Sequence, residues 1–201
     1  STAISGTIGL VKNGIGGLTL SGICNYTGPT QINQGTLTIT SASSLSGVIS
    51  GAGSLTKTGT AVLTISGNNT YSGGTSFNSG ALAALINFNS SNAFGTGLFT
   101  ASNAAGQINT GGNVTLPNDF LINSTSLQYR TAGANTITLI GNIAGSGGIN
   151  KTGNGILNLT AATLTYTGST NRTAGSIVAS KTSGASTATA TFGAGLSVSF
   201  N

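Results

Sequence analysis

Residues 4–37 and 49–82 line up without a gap at an offset of 45 residues. Ile4, Gly6, Leu10, Lys12, Gly14, Leu18, Leu20, Gly22, Tyr26, Gly28, Thr30, Gly35 and Leu37 correspond to Ile49, Gly51, Leu55, Lys57, Gly59, Leu63, Ile65, Gly67, Tyr71, Gly73, Thr75, Gly80 and Leu82. A further copy lies 94 residues beyond Lys57, at Lys151, and carries Ile143, Gly145, Gly147, Ile149, Gly153, Leu157 and Leu159 in phase. One inserted residue then shifts the match to Tyr166, Gly168, Thr170 and Gly175. Because 94 is close to twice the first offset, residues 83–139 have room for one degraded unit. Chance does not keep so many glycines in register, and repetition on this period signals a solenoid, a propeller or an array.

Within each unit the local signal is strand and turn. Leu18-Thr19-Leu20, Leu37-Thr38-Ile39, Leu63-Thr64-Ile65 and Leu157-Asn158-Leu159 alternate with a period of two, the pattern of a half-buried strand. Gly22, Gly67, Gly35, Gly80 and Gly175 follow such runs and mark corners, where a residue without a Cβ permits tight turns and close backbone approach. Helix formers dominate no window, although Ala81 to Ile86 could make a short helix. The segment 83–99 holds Phe88, Phe94 and Phe99 and is expected to fill one end of the core.

A repeat with one apolar side cannot bury it alone, and stacking on a neighbour solves the problem. The expected fold is therefore all-β, a parallel β-helix (β-solenoid) in which hydrogen-bonded windings follow one another at about 4.8 Å. Two windings per 45-residue unit would give about nine in all and a rod of roughly 40 Å. The chain reads as one domain over 1–201, with units at about 1–39, 46–82, 83–140 (degraded) and 141–177, and terminal strands within 185–201.

Charge is the unusual quantity. Only 3% of residues are charged, against about 25% in an ordinary soluble domain, while 37% are hydrophobic. That combination argues against disorder. The net charge of +5 comes from six scattered cations, too sparse for the basic stripe that nucleic acid requires. No apolar run is long enough to span a membrane as a helix. Cys24 has no partner within the chain and reads as a buried small residue. The chain opens on Ser1, consistent with removal of a signal peptide or of an initiator methionine.

Counting excludes most catalytic designs. With no histidine and Asp119 as the sole acid, a carboxylate pair, a Ser-His-Asp triad and a histidine-based metal site cannot be assembled. Gly145 to Thr152 superficially has the look of a phosphate loop, yet Asn150 stands where glycine must precede the lysine. No catalytic residue, cofactor site or metal site is expected, and Asp119 reads as a turn residue beside Pro117. Eight Asn-X-Ser/Thr triplets occur, as a chain rich in Asn and Thr generates them.

Two sets of repeated residues stand out. Lys12, Lys57 and Lys151 share one repeat position and predict either turn residues held in register or a sparse row facing a partner. Tyr26, Tyr71 and Tyr166 share another and predict a ladder packed over a corner, or a row on which sugars stack.

The segment Gly53-Ser54-Leu55-Thr56-Lys57-Thr58-Gly59, with Leu63 to Gly67, Tyr71 to Thr75 and Gly80 to Leu82, resembles the passenger-associated repeat of bacterial autotransporters. Gly145 to Gly153 and Asn113 to Asn118 are similar to the segments between such repeats. The resemblance implies a right-handed β-helix displayed on a cell surface. It covers most of the chain, but no barrel translocator follows the repeats within these 201 residues. Glycine-rich, charge-poor β repeats of phage and virion fibres are a weaker likeness, which would place the protein on a virion surface.

Two roles follow from different classes. A structural subunit would join copies of itself into a filament, fibre or surface appendage through uncapped ends, carrying Ile4, Ile8 and Leu10 at one tip and Phe192, Leu196, Val198 and Phe200 at the other. An adhesin passenger would instead present Thr, Asn and Tyr to surface glycans or a host protein.

Overall fold

Short runs in which a branched apolar residue alternates with Thr, Ser or Asn bury one edge and wet the other, so they form strands that need a neighbour above and below. The computed structural model describes residues 3–80, 83–103, 106–124, 127–160 and 163–179. Among these every regular element is a strand, every pairing is parallel, and no helix occurs. The chain winds as a three-sided β-solenoid of about eight turns, close to the nine expected.

The first face begins with Ile4–Gly6 and Cys24–Tyr26 and continues through Ser43–Leu45, Val62–Ile65, Leu85–Phe88, Gln107–Thr110, Leu127–Thr131, Ile149–Thr152 and Thr170–Arg172. Its two sheets meet where Cys24 N–H donates to Ser43 Oγ and Ser44 N–H donates to Asn25 Oδ1. The second face carries Leu10–Lys12, Thr30–Ile32 and Ile49–Ser50, then Val114–Leu116, Thr136–Leu139, Ile156–Leu159 and Ser176–Ala179. The third carries Gly17–Leu20, Thr36–Ile39, Ser54–Thr58, Thr75–Asn78, Phe99–Ala101, Phe120–Ile122 and Ile143–Ala144, with Leu164 bridged to Ile143.

Two windings cross the second face without a regular strand. There Asn69 points inward, 1% exposed, and its side chain replaces ladder bonds. Its Oδ1 accepts from Ile49 N–H (2.8 Å) and its Nδ2 donates to the Ala93 carbonyl (2.7 Å). Asn118, also buried, donates to the Gly95 and Gly97 carbonyls. A buried amide is costly unless its polar atoms are paired; Asn69 pairs both with neighbouring windings, whereas Asn118 pairs its Nδ2 and leaves its buried Oδ1 without a partner among the described residues.

Inward positions stack into ladders, as in Leu18–Leu37–Leu55 and Leu63–Ile86–Ile108. Each such Leu or Ile contributes about 1.5–3 kcal/mol by leaving water. Phe88, Phe94, Phe99, Phe120 and Tyr129 form a chain of tilted ring contacts with centroids 4.7–6.3 Å apart. This cluster occupies the fifth to seventh windings, so the aromatic segment fills the middle of the rod and not one end. Ala84 is buried and Leu85–Phe88 is a strand, which rules out a helix there.

Windings vary from 18 residues, Leu37 to Leu55, to 24, Thr75 to Phe99. The 45-residue unit therefore does not span two windings. From the strand of Lys12 to that of Lys57 the chain advances seven strands, which on three faces is two and a third windings. Each copy of the repeat consequently starts on a different face.

Candidate functional site

The phase shift separates residues that share a repeat position. Lys12 lies on the second face beside Ile32, Lys57 on the third between Ile39 and Phe77, and Lys151 on the first between Tyr129 and Arg172. No two of the lysines are neighbours, so there is no lysine row. Their side chains point into the solenoid, with Lys57 and Lys151 fully buried and Lys12 6% exposed.

Each ammonium is held by the carbonyls of the corner that follows it. Lys57 Nζ donates to Thr58 and, at 2.9 Å, to Gly59. Lys151 Nζ donates to Thr152 at 2.5 Å and Gly153 at 2.7 Å. Lys12 Nζ donates to Asn13, Gly14 and, across one winding, Gln34. The glycines of these corners, Gly14, Gly59 and Gly153, all have positive φ, which turns their carbonyls back toward the lysine. Burial lowers the pKa of Lys57 and of Lys151 to about 8, because the charged form loses water.

The tyrosines are separated in the same way. Tyr26 is on the first face, where it pairs with Gly6. Tyr71 is on the second face, above Gly51, and Tyr166 on the third, above Gly145, as the bonds from Ser72 N–H to Gly51 and from Thr167 N–H to Gly145 show. They make no ladder. Each instead braces one corner from inside: its hydroxyl meets the hydroxyl of the threonine four residues on, Thr30 at 2.7 Å, Thr75 at 2.5 Å and Thr170 at 2.5 Å. Burial raises the phenol pKa of all three above the ordinary value, opposed in part by the threonine bond.

All four tyrosines, Tyr129 included, are 3% exposed or less. Among the described residues no aromatic ring reaches the surface, so the alternative reading of the tyrosines, a sugar-stacking row, has no exposed ring there. Cys24 is likewise buried, its thiol donating to the Gly22 carbonyl at 3.3 Å, and burial raises its pKa. Asp119 accepts from Asn142 N–H at 2.7 Å, as a corner carboxylate does.

The corner glycines differ in what they need. At Gly35 (φ 68°) and Gly175 (φ 70°) an added Cβ would meet backbone oxygens of the preceding winding at 2.2–2.6 Å. At Gly67 it would meet the Gly47 carbonyl at 2.5 Å without positive φ, and at Gly80 (φ 66°) nothing lies within 4 Å. Ile4 and Leu10 are half-buried in the first winding, and Ile8 beside them is 58% exposed. Phe192, Leu196, Val198 and Phe200, with the terminal strands of 185–201, lie outside the described residues.

Neither Asn69 nor Asn118 was legible as an inward residue. Both sit in Asn-rich turn sequence, and nothing local separates an inward amide from an outward one. The lysines and tyrosines did carry a signal, a recurrent spacing to glycine and to threonine: Lys-x-Gly at Lys12, Lys57 and Lys151, and Tyr-x₃-Thr at Tyr26, Tyr71 and Tyr166.

Fold and devices together define a parallel β-solenoid whose corners are closed from within by a lysine and a tyrosine–threonine pair. The family model of the passenger-associated-transport-repeat matches residues 10–39, 55–84 and 149–179, so the chain carries three copies of that repeat, each beginning just before one of the buried lysines. Residues 85–140, most of the stretch where a degraded unit is expected, carry no match, and parallel pairing continues among the described residues there. No curated protein and no solved structure matches the chain. Repeat and solenoid fit an autotransporter passenger domain, a family that suggests a secreted or cell-surface protein.

Proposed function

We propose that the protein is a non-enzymatic structural passenger, a rod at the cell surface that associates with copies of itself through its first winding. One observation carries this reading. Ile4–Gly6, Leu10–Lys12 and Gly17–Leu20 pair on one side only, with Cys24–Tyr26, Thr30–Ile32 and Thr36–Ile39. The inward Ile4, Leu10, Leu18 and Leu20 remain half-covered. Three open edges around a half-covered apolar core are a template for another winding.

A second copy suits that edge because every winding presents the same backbone spacing and inward apolar residues. Ile8, Val11, Ile15 and Ile23, all more than half exposed, surround the tip. Lys12, the nearest cation, has its ammonium turned inward, so little repulsion opposes contact. The absence of histidine and the single carboxylate support a role without catalysis. Further windings ahead of Ser1 in a longer chain would cover the same edge in cis, so the test uses the 201-residue chain.

Sedimentation velocity over a hundredfold concentration range is expected to show concentration-dependent oligomers. Replacing Ile15 and Leu18 by lysine places charge on the open winding and is expected to leave monomers. A strictly monomeric wild type, or oligomers indifferent to these lysines, would overturn the proposal.

A further inference from the structure

The corner between the first and second faces is three residues long below and above the seventh winding, at residues 111–113 and 153–155, but four residues long within it, at 132–135. The extra residue makes the turn project. Ala132 N–H donates to the Thr110 carbonyl and Asn135 N–H to the Ala132 carbonyl, while Asn135 Nδ2 donates to the Gly111 carbonyl at 2.8 Å. The projecting turn is therefore fixed to the winding beneath it, and it walls a cleft of about 340 Å³. That volume lies at the small end of the range of ligand clefts, about 300–1,000 Å³.

Asn109, Arg130 and Asn154, from three successive windings, supply the polar side chains of the cleft. Asn109 and Arg130 are register partners on the outer surface of the first face. Asn109 Nδ2 is used by Asn87 Oδ1 at 2.9 Å, which leaves its own Oδ1 to accept from a ligand hydroxyl. Gly153 forms the floor: a Cβ there would lie 3.2 Å from Arg130 Cγ and 2.4 Å from the Thr131 carbonyl, filling the space.

Arg130 is the decisive group. It is exposed and makes no hydrogen bond or ion pair with the described residues. The four other cations among these residues have carbonyl partners: Lys12, Lys57 and Lys151 as above, and Arg172 through Nη1 to Gly175. Asp119, the sole acid, is engaged with Asn142. One unpaired guanidinium with two amides around a rigid, ring-sized hollow suits an anionic polyol, since guanidinium holds a carboxylate in bidentate fashion.

We propose that this cleft binds a single acidic sugar unit, its carboxylate on Arg130 and its hydroxyls on Asn109 and Asn154. Recognition rests on charge and hydrogen bonding, with no ring stacking. The site is far from the open first winding, so it adds a ligand to the rod independently of self-association.

The test is calorimetric titration of the 201-residue protein with glucuronate, glucose and sodium sulfate. Glucuronate is expected to bind saturably and in a salt-sensitive manner, glucose not detectably, and sulfate more weakly than glucuronate. Arg130→Gln is expected to lower glucuronate affinity about tenfold or more and Asn154→Ala about threefold. Both side chains lie outside the core, and an unchanged melting curve verifies that the variants fold. Four results would each overturn the proposal: equal binding of glucose and glucuronate, sulfate binding as tightly as glucuronate, full affinity in Arg130→Gln, or no saturation with glucuronate at its solubility limit.

Discussion

An ammonium inside an apolar solenoid is tolerated here because the corner beside it supplies carbonyls at hydrogen-bond distance. The arrangement has a pH signature. With the pKa of Lys57 and Lys151 near 8 in the fold and near 10.5 in the unfolded chain, the unfolded chain binds more protons between these values. The two lysines therefore add stability as pH rises from about 8 to about 10.5, and the buried Cys24 and tyrosines, whose pKa values are raised in the fold, take stability away once pH passes their ordinary values of 9.0 and 10.0. Urea melts between about pH 8 and 9, below the ordinary values of the thiol and the phenols, are expected to show the rise, and the Lys57→Met, Lys151→Met double variant to flatten it. The tyrosine brace has a smaller and separable effect. Tyr71→Phe removes one buried hydroxyl pair, yet Thr75 Oγ1 keeps its bond to the Phe94 carbonyl at 3.1 Å, so the loss is about 1 kcal/mol. Tyr71→Ala also empties core volume and is expected to cost about 3–5 kcal/mol. Chemical denaturation of both variants separates bond from packing.

Strands in this protein are ordinary and corners are particular. A strand needs only alternation, whereas a corner must bring one winding's backbone onto the next. Gly28, Gly47 and Gly67 form a column in which an added Cβ would reach the preceding winding's carbonyl at 2.2–2.5 Å. Gly35 combines such contact with positive φ, and Gly80 has positive φ in open space. Thermal unfolding should rank them: Gly80→Ala costs about 1 kcal/mol for the left-handed backbone alone, and Gly35→Ala at least about 3 kcal/mol because the preceding backbone must also move. Equal effects would mean that the corners are looser than the packing shows. At this scale the strands were legible, since Leu63-Thr64-Ile65 and its relatives alternate without interruption. The inward turn of Asn69 was not, because it depends on Ile49 and Ala93, which lie about twenty residues away on either side.

Across the whole molecule, a repeat of seven strands on a three-sided coil turns each copy by one face. Lys12, Lys57 and Lys151 thereby come to lie on all three sides, and no single side gathers equivalent residues. If any strand suits any face, removing one whole repeat should leave a folded rod. Deletion of residues 12–56, which joins Val11 to Lys57, is expected to retain β circular dichroism and a cooperative melt. X-ray scattering should find the longest dimension shorter by roughly 11 Å, two and a third windings of about 4.8 Å. Loss of cooperative folding would show that the faces are not interchangeable.

Alternation, glycine placement and the Lys-x-Gly and Tyr-x₃-Thr spacings are local, and the amino-acid sequence alone determined from them an all-β coil of stacked, almost uncharged windings. Which residues stand above one another is a sum over every corner and strand between them. Windings of 18 to 24 residues make that sum incommensurate with a repeat of 45. Only the tertiary structure could therefore place the lysines and tyrosines apart, inside the coil, and gather Asn109, Arg130 and Asn154 around one outer cleft.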